Sequence, residues 1–167
     1  MNRRQFVLTS LFFAATAGFS RLASAAQATA KDFIRSPEFW RKLVSAKAWE
    51  VLFREHTERP FSSPLNEEKR VGTYLCAACY QPMFKSSGKF DSGTGWPSFF
   101  QALPQALGQR EDRGFFMVRV EYHCARCGGH QGHVFTDGPK PTGLRYCNNG
   151  LALTFIPQDQ ALPRLRG

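Results

Sequence analysis

The segment GFFMVRVEYHC, residues 114–124, carries the reading on which the fold turns. If it is extended, Phe116, Val118, Val120 and Tyr122 point one way, and Met117, Arg119 and Glu121 point the other. That period of two predicts a strand with one apolar face. Segments of similar texture surround it: GTYLC at 72–76, KFDSGTGWPSFF at 89–100, GHVFTD at 132–137 and LALTF at 151–155. Gly and Pro separate them, and no long helical pattern follows Arg54. Before them lies SPEFWRKLVSAKAWEVLFRE, from Ser36. Ser36 suits a helix cap, Pro37 a first turn, and Glu38 adds a favourable charge there. Phe39, Leu43 and Trp40 are candidates for its buried face, and a second short helix is expected over Ala46–Arg54. Residues 57–70, TERPFSSPLNEEKR, are broken by Pro60 and Pro64 and read as extended or looped. The expectation is a compact, mainly β, mostly antiparallel domain with short N-terminal helices.

Short strands and many loops call for a staple, and the cysteines supply a candidate. Cys76 and Cys79 form one CxxC pair, and Cys124 and Cys127 form another, with 44 residues between them. Each CxxC turn brings two thiolates to one side, so two turns close a tetrahedral shell around structural Zn²⁺. Disulfides and a redox-active CxxC are the competing readings. Four protein ligands leave no open position, so catalysis at such a metal is not expected.

Cys147, in GLRYCNNG at 143–150, is the cysteine left over. A buried core thiol is its plain reading. Its neighbours suggest more. In an extended chain Arg145, Cys147 and Asn149 share a face, and a cation near a sulfur favours the thiolate. Asn148 would face away from Cys147, toward packing or the rim. His130, His133 and Asp137 precede the thiol by 17, 14 and 10 residues, close enough for a strand and its return to bring imidazoles beside it. Thiol chemistry near neutral pH needs a proton donor and acceptor, a role histidine suits. Each histidine could instead lie on the surface or bind metal, and Asp137 could be a turn residue. Trp96, before Pro97, could be core, or could wall a small apolar pocket with Phe135.

Taken together, TERPF at 57–61, the paired CxxC, KFDSGTGWPSF at 89–99, the run from Cys124 to Asn149 and the closing LALTF resemble the B-type methionine sulfoxide reductases, which reduce the R epimer of methionine sulfoxide. The resemblance covers roughly residues 39–157. It implies a pair of antiparallel sheets with small N-terminal helices and one structural zinc on Cys76, Cys79, Cys124 and Cys127. It assigns the catalytic thiol to Cys147 and puts Trp96 against the sulfoxide methyl group. His130 and His133 would hold water or the sulfoxide oxygen and supply protons. Arg145, Asp137 and Asn149 fall on active-site or supporting positions, and Phe135 on an aromatic side of the pocket. The expected partners are oxidised methionine, free or in proteins, and a thiol reductant.

The sequence departs from that pattern at Thr94, where many relatives carry a second, recycling cysteine. An external thiol, such as a thioredoxin-like protein, is then expected to regenerate Cys147 from a sulfenic acid. Asn148 also stands where an apolar residue is common.

The chain opens MNRRQFVLTSLFFAATAGFSRLASA. Arg3 and Arg4, an apolar run over 6–19 and the small residues Ala23, Ser24 and Ala25 resemble a twin-arginine export signal. An uncleaved anchor is the alternative, but the run is short for a span of about 20 residues. Cleavage near Ala25, passage through the twin-arginine machinery and a periplasmic or otherwise exported destination are expected. Residues 26–35 read as a flexible lead-in, 36–160 as the domain and 161–167 as a tail. Loss of the leader lowers the net charge from +9 to +6, and the remaining cations are scattered. No nucleic-acid partner is expected from such a distribution. A thiol–disulfide oxidoreductase and a zinc-stapled binding module are the rival functions. The first leaves Cys147 without a role, and the second predicts that it is inert.

Overall fold

The computed structural model describes residues 35–114 and 117–167. The expected leader, most of the lead-in and the Phe116 position lie outside the described residues. Two short helices come first, α1 (Pro37–Arg41) and α2 (Ala46–Arg54). The strands follow: β1 (Gly72–Cys76), β2 (Pro82–Lys85), β3 (Lys89–Phe90), β4 (Ser98–Phe99), β5 (Leu107–Gly114), β6 (Met117–Cys124), β7 (His130–Phe135), β8 (Arg145–Asn148) and β9 (Leu153–Pro157). They form two sheets, ordered β2-β1-β9 and β3-β4-β8-β7-β6-β5. Neighbouring strands are antiparallel. The mainly β, two-sheet expectation holds.

Aromatic side chains fill the core. Phe84 stacks on Phe99 with ring centres 4.3 Å apart, Tyr74 meets Phe99 at 4.9 Å, and Tyr122 meets Tyr146 at 5.3 Å. Such pairs add to the gain from burying their large surfaces. Helix α2 is capped by Ser45, whose side chain accepts from the Ala48 amide, and it buries Ala48, Trp49, Val51 and Leu52. Its C-terminal Glu55 turns left-handed.

Two expectations need correction. Helix α1 is too short to present a stripe, so Trp40 alone is buried while Phe39 and Leu43 stay exposed. Ser36 stands at its N-cap but makes no side-chain cap bond. In β6 the apolar alternation does not mark the buried face along its whole length. Tyr122 is buried, but Val118 is 64% exposed and Val120 39%, whereas Glu121 is only 2% exposed. The reason is topological. Strand β7 pairs with β6 only from Val120 to His123, so Val118 has β5 alone beside it. Glu121 instead faces cationic and imidazole partners, Arg110, His123 and His130.

Strand β5, LGQREDRG, has no apolar alternation and was not legible as a strand; it lies at the sheet edge and pairs with β6 over its full length. Residues 164–167 lie across the Cys79 turn. The Arg166 amide donates to Cys79 O at 3.0 Å, and its guanidinium stacks on Tyr80 at 3.8 Å.

Candidate active site and zinc centre

Strand β8 is the third strand from the β3 edge of the six-stranded sheet and sits between β7 and β4. Cys147 is therefore opposite His133 on one side and Ser98 on the other. Gly132 permits the close approach of β7, because a Cβ there would lie 1.9 Å from Cys147 O. A cavity of about 120 Å³ opens over this register, lined by Thr57, Trp96, Arg119, His133, Phe135 and Cys147 among others. A larger groove of about 1000 Å³ lies between α2, the 56–65 loop and Arg166. None of the candidate catalytic groups lines it; Cys147, His133, Trp96 and Phe135 line the smaller cavity.

Each wall is held by identifiable bonds. The Trp96 indole donates to Glu58 O at 3.1 Å. Arg145 donates through Nε and Nη2 to the two oxygens of Asp137, both at 2.8 Å, and lies over Phe135 at 4.3 Å. Paired forks of this kind fix a guanidinium firmly. Burial pushes the Cys147 thiol pKa up, against the Thr94 hydroxyl and the Arg145 cation beside it. The thiolate-favouring cation expected from the sequence is thus present, but desolvation outweighs it.

His133 is mostly buried, and its Nε2 lies 2.8 Å from an Asp112 oxygen. Asp112 also accepts from Arg119 at 2.7 Å. The His130 ring lies 5.6 Å from that of His133 and is buried behind it, outside the cavity lining. Its Nδ1 is 2.8 Å from Glu121, while its Nε2 is buried without a hydrogen-bond partner. Burial alone would raise the Glu121 carboxyl, but hydrogen bonds from His123 and His130 and the Arg110 charge bring it down to about 2.

Asn149 ties the end of β8 to the loop at Glu58 and to strand β7. Its Oδ1 accepts from the Glu58 amide at 3.0 Å, and its Nδ2 donates to Gln131 O at 3.1 Å. The Glu58 carboxylate in turn accepts from the amides of Gly150 and Leu151. Asn148 does turn away from Cys147, but into the interior and not to a rim. It is fully buried and accepts from Tyr122 OH at 2.7 Å. Asp112, Glu121, Glu58 and Arg119 were not singled out in the sequence. Glu58 sits in a quoted motif without an obvious task, Arg119 and Glu121 look like ordinary strand polar positions, and Asp112 lies in the β5 segment, which carries no strand pattern.

The four remaining cysteines converge. Their sulfurs all lie within 4.8 Å of one another, with Cys76–Cys127 at 3.6 Å and Cys79–Cys124 at 3.5 Å. A tetrahedral shell with Zn–S of about 2.3 Å requires sulfurs about 3.8 Å apart. All four are buried, and the donor set is all thiolate, as structural zinc prefers.

Residues 44–157 match the family model described as the SelR domain. The chain is 51% identical over 121 residues to a protein of Thiobacillus denitrificans, covering 72% of this chain and 92% of that one. It is 47% identical over 127 residues to one of Methanosarcina barkeri, covering 75% and 89%. It is 48% identical over 125 residues to one of Pseudomonas putida, covering 74% and 94%. All three carry the name peptide methionine sulfoxide reductase MsrB. The chain belongs to the MsrB family. As an MsrB-family chain it is an oxidoreductase, and its four-cysteine cluster is the structural zinc centre of a zinc-stapled MsrB fold. The binding-module and CxxC oxidoreductase readings give way to this one.

Proposed function

We propose that the protein reduces methionine-R-sulfoxide to methionine through Cys147, and that an external thiol restores the enzyme. The observation that carries this reading is the register of β7 on β8. It puts His133 directly opposite Cys147 at a cavity walled by Trp96 and Phe135. The Cys147 thiolate attacks the sulfoxide sulfur. His133 delivers a proton to the oxygen as the S–O bond weakens, with His130 behind it. Trp96 and Phe135 receive the apolar methyl side. Arg145, held by Asp137, supports the anionic sulfur, and Asn149 anchors the strand end. Oxygen, as the displaced hydroxide or water, then bonds to Cys147 Sγ as the Sγ–S bond breaks; methionine leaves, and Cys147 is left as a sulfenic acid. Its oxygen departs as water when an external thiol forms a mixed disulfide, and a second thiol frees Cys147. The four other cysteines are committed to the zinc cluster, which supports the external route. When bound, the zinc ion stabilises the fold and takes no part in the reaction.

A second groove of about 560 Å³ runs beside Trp96, lined by Phe61, Asn66 and Lys89 among others. It supports a substrate that is an oxidised methionine within a protein, with a repair role. The leader supports export through the twin-arginine machinery and action in the periplasm or beyond. Cell fractionation and the N-terminal sequence of the mature protein test that part; an intact Met1 in the cytoplasm would refute it.

The reaction is tested by supplying the R and S epimers separately with dithiothreitol. Turnover of R alone is expected. Turnover of neither, in folded zinc-loaded protein, would sink the assignment.

A further inference from the structure

Beside Cys147 runs a chain of three hydroxyls. Thr94 Oγ1 lies 4.0 Å from Cys147 Sγ, Ser92 Oγ lies 2.8 Å from Thr94 Oγ1, and Ser98 Oγ lies 2.8 Å from Ser92 Oγ. Ser98 then donates to Trp96 O at 3.1 Å. Each hydroxyl has one proton. With the Ser98 proton on that carbonyl, which can only accept, Ser98 accepts from Ser92. Ser92 is then spent as well and accepts from Thr94. The Thr94 proton consequently points away from the sulfur, and its lone pairs face Sγ. Turning that proton toward the sulfur would support a thiolate, but it reverses the chain and strips Trp96 O of the Ser98 donor.

The geometry is held from several sides. Ser98 is fully buried and opposite Cys147 in the β4–β8 register. Gly95 adopts a φ of +89°, and its carbonyl accepts from the Phe61 amide at 2.7 Å and the Asn66 side chain at 3.0 Å. The 4.0 Å gap is long for a thiol contact. An oxygen bonded to Sγ would occupy part of it and leave an ordinary O–H···O separation of about 2.7 Å.

We propose that the Thr94–Ser92–Ser98 chain is a receiving site for the Cys147 sulfenic acid, whose S–O–H donates to Thr94 Oγ1. This rests on the sulfenic acid reading given above. The bond favours the neutral acid over the sulfenate, because a hydrogen bond donated by the neutral form disfavours ionisation. The charged groups around the sulfur are Arg145 of β8, held by Asp137 beyond the end of β7, His133 of β7, and Arg119 of β6 on the cavity wall. Arg145 favours the anion, as would a Thr94 proton turned to the sulfur; with its lone pairs facing Sγ, Thr94 instead favours the neutral acid. The neutral acid is a poor nucleophile toward a second oxidant. It remains an electrophile for an incoming thiol: the S–S bond forms, the S–O bond breaks, and oxygen leaves as water with one proton from each partner. Without a second protein thiol nearby, the intermediate persists until a reductant arrives.

The test uses the zinc-loaded protein, one equivalent of R-sulfoxide and no thiol, followed by hydrogen peroxide. Mass spectrometry of Cys147 follows the fraction still trapped by a dimedone-type probe against the sulfinic acid formed. Thr94→Val is expected to over-oxidise about fivefold faster, the worth of one neutral hydrogen bond. Thr94→Ser should match the unsubstituted protein, and Ser92→Ala should fall between, since it cuts the chain one step away. Equal over-oxidation rates in Thr94→Val and the unsubstituted protein would overturn the receiving site alone. No trapped Cys147 adduct in the unsubstituted protein would overturn the sulfenic acid reading and this inference with it.

Discussion

His133 carries a lowered imidazole pKa, burial being the main cause, while the bond to Asp112 pulls upward and the Arg119 charge pulls downward again. The proposed chemistry needs its protonated form. The rate should therefore fall as pH rises through the His133 pKa. Asp112→Asn keeps an acceptor at the same place but removes the charge, so that pKa drops and the falling limb moves to lower pH. At pH 7 kcat should fall about tenfold, the value of one pKa unit, with KM little changed. At low pH the two rate curves should converge. A pH–rate profile with an unmoved limb would show that Asp112 is merely structural. The same residue scale exposes what the sequence hides: Asp112 precedes His133 by 21 positions, and nothing in REDRG marks it as a histidine partner.

At the scale of the element, β6 and β8 are joined by a polar bond inside an aromatic core. Tyr122 OH donates to Asn148 Oδ1, and Asn148 Nδ2 donates to Asn149 O at 2.8 Å. Burying Asn148 is tolerable only while these bonds are made. Tyr122→Phe leaves a buried acceptor empty and should cost about 1–3 kcal/mol in urea unfolding. Replacing both members, Tyr122→Phe with Asn148→Leu, should recover part of that loss, because the empty Oδ1 acceptor is gone while Asn149 O and Gln131 Oε1 lose the Nδ2 donor. If the single and double variants were equally unstable, the bond would not be what keeps Asn148 inside. Strand β6 itself shows why alternation misleads: its apolar side is buried only where another layer covers it, and its acid is buried where β7 brings histidines.

Over the whole molecule, the zinc cluster ties the sheets together. Cys76 ends β1 in the three-stranded sheet, and Cys124 ends β6 in the six-stranded one. Removing the metal leaves four buried thiols held by little beyond one another and the Gln131 amide, and loosens that junction. Chelation should lower the Tm by about 10 °C or more and broaden the transition. Cys147→Ser should abolish methionine release with zinc still at one per chain, whereas Cys124→Ser should lose both. Retention of full stability after complete zinc removal would deny the metal a structural role.

What the sequence determined by itself are the features written in local spacing. The two CxxC turns, the helix over Ala46–Arg54, the strands around GTYLC and VRVEYHC, and the thiol beside Arg145 need only neighbours along the chain to be recognised. The tertiary structure alone decided which distant groups meet. Strand pairing put His133 opposite Cys147, brought Asp112 and Glu121 from the β5–β6 hairpin to the two imidazoles, and turned Asn148 toward Tyr122. It also set the hydroxyls of Ser92, Thr94 and Ser98 in a single line to the sulfur. Such partners are selected by register between strands, and a one-residue change of register would send each of these side chains to the opposite face.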